Sequence, residues 1–181
     1  LRLYRDAALT PEQRRDCQAG IANHGSASDL GLVVETILEA TSGDAKQRAQ
    51  LIQDLVDASK RRSIQPKGDL DGLGELIDAA PSELRVAAVN AAGEWRVESV
   101  RSTLETLAKA KQTPDDVRRS AIDALSSFGG ESTNKLLESL TAPNQEFGIR
   151  VAAIRALIRR SPDLAARHAG KVLAGAAGHD A

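Results

Sequence analysis

The feature that most constrains this chain is that it repeats itself. The segments LRVAAVNAAGEW from Leu84, VRRSAIDALSSF from Val117 and IRVAAIRALIRR from Ile149 superpose, with Arg85, Arg118 and Arg150 in register. Self-similarity at a steady interval of this order marks a stack of supersecondary units, each too small to bury its apolar face alone. Counted from the arginine, four columns are apolar. Column −1 is Leu84, Val117 and Ile149, column +3 is Ala88, Ala121 and Ala153, column +4 is Val89, Ile122 and Ile154, and column +7 is Ala92, Leu125 and Leu157. Those offsets trace one face of a helix. Columns +2 (Ala87, Ser120, Ala152) and +6 (Ala91, Ala124, Ala156) hold small side chains, which let neighbouring helices approach closely.

A second helical pattern runs between these segments, with Leu107, Leu140 and Leu173 recurring at the same interval and Leu104 and Leu137 one turn earlier, so each repeat is a helix pair. Weaker copies lie upstream. Arg48 with Leu51, Ile52 and Leu55 occupies the same columns, although Gln47 stands where an apolar residue is expected, and Arg14 with Cys17 and Ile21 reads as a degenerate copy. Thr10-Pro11, Thr113-Pro114 and Ser161-Pro162 each place a hydroxyl before a proline that the first helical position tolerates. Helices are expected over 11–22, 29–40, 44–60, 70–79, 82–94, 97–111, 115–128, 131–141, 146–160 and 162–173. The stretch 61–68, with Pro66 and three basic residues, is the longest interruption and accounts for the wider spacing between Arg48 and Arg85. No alternating strand pattern competes.

Composition agrees, since 30 Ala and 21 Leu make up 51 of 181 residues and favour helices. It also disfavours catalysis: Tyr4, Trp95, Phe128 and Phe147 are the only aromatics, and one Cys, three His and no Met supply few nucleophiles, bases or ligands. The formal net charge is −1, distributed as +1 over residues 1–67, −5 over 68–145 and +3 over 146–181. That basic end, with Arg155, Arg159, Arg160, Arg167 and Lys171, is a candidate steering surface for an acidic partner, against the simpler reading of a solvated helix face. No stretch approaches the apolar length of a membrane span, and no signal pattern opens the chain. The absence of Met at position 1 suggests a segment cut from a longer protein.

The columns around Arg118, from Pro114 to Leu125, resemble the second helix of a HEAT-like repeat of the armadillo-type, phycobilisome-lyase-type variety, and the copies from Leu84 and Ile149 match it well. The resemblance implies an all-α, right-handed α-α superhelix of about four to five helix pairs whose second helices line the concave side. One repeat domain over 1–181 is expected, best matched over 70–173, divergent over 1–69 and with a flexible tail at 174–181. The Ala-rich style is also similar to repeats that sit between a sugar-dehydrogenase-like propeller and a cytochrome c domain in large haem-binding proteins of planctomycete-type bacteria. That resemblance implies an extracytoplasmic spacer whose haem motif lies outside this segment; without it a cytoplasmic location is expected.

Candidate chemistry is sparse. The Arg85, Arg118 and Arg150 column would suit a phosphate-reading ladder, as in HEAT-like DNA glycosylases, but Glu83, Asp116 and Glu146 stand nearby in sequence, so local ion pairs are the simpler expectation. Adjoining columns mix signs, whereas a nucleic-acid groove wants one sign repeated. Asp69, Asp71 and Gly72 fail the calcium-loop template, because Gly falls too early and the twelfth residue is Ala80. His24, His168 and His179 lack paired ligand spacing, and Cys17 has no partner cysteine. Trp95 shares its column with Phe128 and reads as a packing residue. The expectation is a non-catalytic scaffold, monomeric, without cofactor or metal, binding another protein or another domain of its chain and neither nucleic acid nor membrane. Its partner-binding surface is placed at Arg119, Asn90, Asp123, Arg155, Glu94 and Arg159. The rival class is an enzyme, a DNA glycosylase or a chromophore lyase.

Overall fold

Two reciprocal caps show how the sequence starts its helices. Thr10 accepts the Gln13 backbone N–H at 3.2 Å while Gln13 accepts the Thr10 N–H at 3.0 Å, and Ser26 and Asp29 repeat the exchange at 3.3 and 2.7 Å. Each box satisfies donors that the first turn leaves without a helical acceptor. The computed structural model describes residues 9–40 and 44–177, and among them it contains ten α-helices and no strand. The helices are α1 (Pro11–His24), α2 (Ala27–Glu39), α3 (Ala45–Arg62), α4 (Leu73–Ala79), α5 (Ser82–Glu94), α6 (Arg101–Lys109), α7 (Asp115–Phe128), α8 (Glu131–Ser139), α9 (Phe147–Ile158) and α10 (Pro162–Ala177). A 3₁₀ turn, Glu98–Val100, leads into α6.

All ten expected helices are present and the fold class is the α-solenoid type. The differences lie at the ends. Thr113 does not cap α7: Pro114, with ψ 141°, occupies the cap position itself, which leaves the Thr113 hydroxyl one residue too far back to reach the first turn. The last helix continues to Ala177, so 174–177 of the expected tail are helical, and residues 178–181, with His179, lie outside the described residues.

The chain divides into two compact units, residues 1–91 and 92–181. In the first, α1, α2 and α3 pack on one another around Leu30, Val33, Val34, Ile52, Leu55 and Val56. The interruption between α3 and α4 is tied down: the Lys67 N–H donates to the Ala27 carbonyl at 2.8 Å, and Lys67 O lies so close to Gly31 that a Cβ there would stand 1.9 Å from it. Arg62, in the last turn of α3, where a cation complements its own helix end, donates to the Ala22 carbonyl at 2.9 Å and also to the Gly25 carbonyl, so it satisfies the end of α1 as well.

In the second unit α7 packs between α6 and α9, and α9 also meets α8 and α10. The repeat columns form its core. Val117, Ala121, Ile122, Leu125, Ile149, Ala153 and Leu157 are all at most 1% exposed. Trp95 is buried, as a packing residue would be. The small-residue columns do what their size permits. A Cβ on Gly93 would lie 2.6 Å from both Cα and Cβ of Ala124, so within the second unit the last residues of α5 meet α7 backbone to backbone.

Candidate interaction surface

The arginine column is the natural place to begin, because its charges would dominate any ligand site. Arg118 is 1% exposed. It donates Nε–H to the Ala108 carbonyl at 3.1 Å and Nη2–H to Gln145 Oε1 at 2.9 Å, and Nη1 stands 3.5 Å from Glu146 Oε1. Arg48 donates to the Ile37 carbonyl at 2.8 Å, and Arg150 to the Thr141 carbonyl at 3.3 Å. Ile37, Ala108 and Thr141 all lie at or just beyond the C-terminal turn of the preceding helix, where carbonyls lack intrahelical partners. Arg48, Arg118 and Arg150 therefore tie α3, α7 and α9 to the ends of α2, α6 and α8. Arg85 is half-buried, with Nε lacking a partner among the described residues.

At Arg118 the ion pair reaches beyond the local carboxylates that the sequence suggests. The carboxylate on Arg118 is Glu146, far downstream at the start of the next copy, while Asp116 accepts the Val117 N–H at 2.9 Å. Asp116 precedes its arginine on the exposed first turn of α7, whereas Arg118 points inward toward the α8–α9 connection.

Of the six candidate surface residues, Asn90 belongs to the first unit and Glu94, Arg119, Asp123, Arg155 and Arg159 to the second. Asn90 borders a shallow cleft of about 270 Å³ with Lys46, Gln50, Gln53 and Glu83. In the second unit the fold brings two candidates together: Arg159 Nη2 meets Asp123 Oδ1 at 2.7 Å and also donates to the Ser126 hydroxyl at 3.1 Å. Arg119 reaches toward α9, with Nη1 3.8 Å from where a Cβ on Gly148 would stand. Arg155 is exposed, and Glu94 is half-buried at the end of α5.

Other polar side chains join neighbouring repeats. Arg101 donates to the Gly129 carbonyl at 2.9 Å and to Thr133 Oγ1 at 2.7 Å, with its guanidinium 5.9 Å from the Phe128 ring centroid. Arg160 donates to Asn134 Oδ1 and to the Ser126 carbonyl, both at 3.1 Å. The Thr141 hydroxyl donates to the Glu138 carbonyl at 2.7 Å, so it accepts from His168 Nδ1, 2.9 Å away. Among the described residues no three His, Cys, Asp or Glu side chains gather as a metal site would need, and no helix is long and apolar enough to cross a membrane.

One hollow was not anticipated from the sequence. In the first unit a groove of about 600 Å³ runs between α1 and α3. Its back is Ala22, Val33 and Leu55, its walls include Ala19 and Leu51, and its rim carries Glu12, Arg15, Asp16 and Asp54. The available signal was the set of polar residues that α3 carries in columns elsewhere small or apolar.

Residues 70–158 match the family model of HEAT repeats. No curated protein matches the chain.

Proposed function

We propose that the chain is a non-catalytic repeat scaffold that contacts another protein, or another domain of its own chain, as a monomer. HEAT repeats generally act as protein-interaction scaffolds. The observation that carries the reading is the engagement of Arg48, Arg118 and Arg150 with helix-end carbonyls. A phosphate ladder would need those guanidinium groups free and repeated along one face. What the second helices of the second unit present instead is a mixed surface of Arg119, Arg155 and the Asp123–Arg159 pair, the polar kind that rims protein interfaces. The similarity in style to repeats placed beside a cytochrome c domain makes such a domain the first partner to test.

Two experiments test this reading. In cross-linking mass spectrometry from the native cells, a chain carrying Arg119→Glu and Arg155→Glu should lose a specific protein or domain contact that the wild type and a Glu75→Lys control retain. Gel shifts with duplex and single-stranded DNA near physiological salt should show no complex. An unchanged contact profile, or DNA binding at about micromolar affinity that the double reversal abolishes, overturns the reading.

A further inference from the structure

The groove between α1 and α3 is an inter-repeat seam that the described residues leave open. Its position follows from the repeat columns. In the second unit, Gly93 at column +8 of α5 meets Ala124 at column +6 of α7, and the backbones touch there. The same two columns on α1 and α3 are Ala22 and Asp54, and both line the groove. Across α3, column −1 is Gln47 and columns +2 and +6 are Gln50 and Asp54, where the three well-matched copies carry Leu, Val or Ile, then Ala or Ser, then Ala. A carboxylate cannot enter a close helix contact without losing its hydration. Asp54 accepts an amide hydrogen bond from Gln50 at 2.9 Å, which leaves its charge in place at the groove edge.

We propose that this seam is a docking site for a cationic amphipathic helix of a partner protein. Three observations select that occupant. The lining on α1 runs from Glu12 to Ala22, a length of about 15 Å along a helix. That length suits two to three turns of helix and exceeds a single side chain. Ala19, Ala22, Val33, Leu51 and Leu55 form an aliphatic strip beside Gln18, Gln47 and Gln50, matching anchors spaced as on one helix face. The rim holds three carboxylates, Glu12, Asp16 and Asp54, against one cation, Arg15, so it carries a formal charge of −2 and favours basic flanks. The proposal deepens the scaffold reading and rests on it, yet its site lies apart from Arg119 and Arg155, so each fails or stands by separate variants.

The probe is a labelled synthetic peptide of about 20 residues, beyond the length at which isolated helices are marginal, with Leu at i, i+3, i+7 and i+10 and Lys or Ala elsewhere. Comparison peptides keep its composition with scrambled order, or replace Lys by Glu. Fluorescence anisotropy with the full chain should show binding of the first peptide that weakens from about 50 to 300 mM salt, and at least about tenfold weaker binding of the other two. Asp16→Lys with Asp54→Lys should weaken binding by about tenfold or more, while Glu75→Lys with Asp78→Lys, on exposed α4 positions, should leave it within about twofold. Ala19→Trp, which fills the groove from an exposed position, should abolish binding without altering the circular dichroism spectrum. Equal binding of the scrambled or acidic peptide, equal effects of the two charge reversals, or no effect of Ala19→Trp overturns the proposal. A dimer in sedimentation equilibrium that Ala19→Trp dissociates would overturn it in favour of a second copy of the chain.

Discussion

Arg118 behaves as a core residue because its donors reach acceptors on three sides. Truncating it to Ala leaves the Ala108 carbonyl and Gln145 without its donors at a buried site, so Arg118→Ala should cost about 1 to 3 kcal/mol in urea unfolding. Arg159→Ala should cost no more than about 1 kcal/mol, because the Arg159 and Asp123 side chains are 48% and 44% exposed. Equal losses at the two positions would show that the arginine column is not a structural tie. Asp29 offers a pH test. Hydrogen bonds from the Ser26 backbone and then its hydroxyl hold the Asp29 carboxyl below the usual aspartate range. A carboxylate held low stabilises the fold above its unfolded pKa, and that contribution is lost as pH falls through its folded value. Between about pH 5 and pH 2, wild type should therefore lose more stability than Asp29→Asn, measured by thermal melts; parallel losses would exclude the cap as a source.

At the scale of elements, stability rests on helix faces and on how closely they approach. Leu125→Ala and Ile154→Ala should each cost about 2 to 5 kcal/mol, with Ile154 at the lower end because it is 8% exposed and Leu125 is not exposed at all. Asp123→Ala, which loses only the exposed pair with Arg159, should cost no more than about 1 kcal/mol. Gly93→Val tests the α5–α7 contact. Extra carbon atoms have no room beside Ala124, so overpacking should destabilise by about 1 to 3 kcal/mol, and Gly20→Val, where a Cβ would meet nothing within 4 Å, should lack that overpacking cost. A neutral Gly93→Val in chemical denaturation would mean that the helices can separate freely at that point.

For the whole molecule, a repeat stack joins each helix pair mainly to its neighbours, so damage stays local. Hydrogen exchange should register Leu125→Ala first as lost protection in α6, α7 and α9, with α1 to α3 retaining theirs. Uniform loss along the chain would show one indivisible cooperative unit. The two compact units, residues 1–91 and 92–181, carry different surfaces. The first holds an acidic-rimmed apolar groove, and the second presents Arg119, Arg155 and a neutralised Asp123–Arg159 pair.

The helices, their pairing and their buried columns are legible in the residues alone. Side-chain spacing along a helix is a local property, so offsets of three, four and seven from each arginine assign Val117, Ala121, Ile122 and Leu125 to one face whatever lies around them. Burial bears out the columns from Leu84, Val117 and Ile149. What each charged side chain meets is a different matter, because it depends on elements distant in the chain. Arg118 meets Glu146 from the next copy, and Asp123 finds Arg159 across the α7–α9 contact. The open seam has the same origin. Gln47 is visible in the sequence as a departure from the repeat, but a departure becomes a groove only through the distance between α1 and α3, which depends on the packing of both helices over α2.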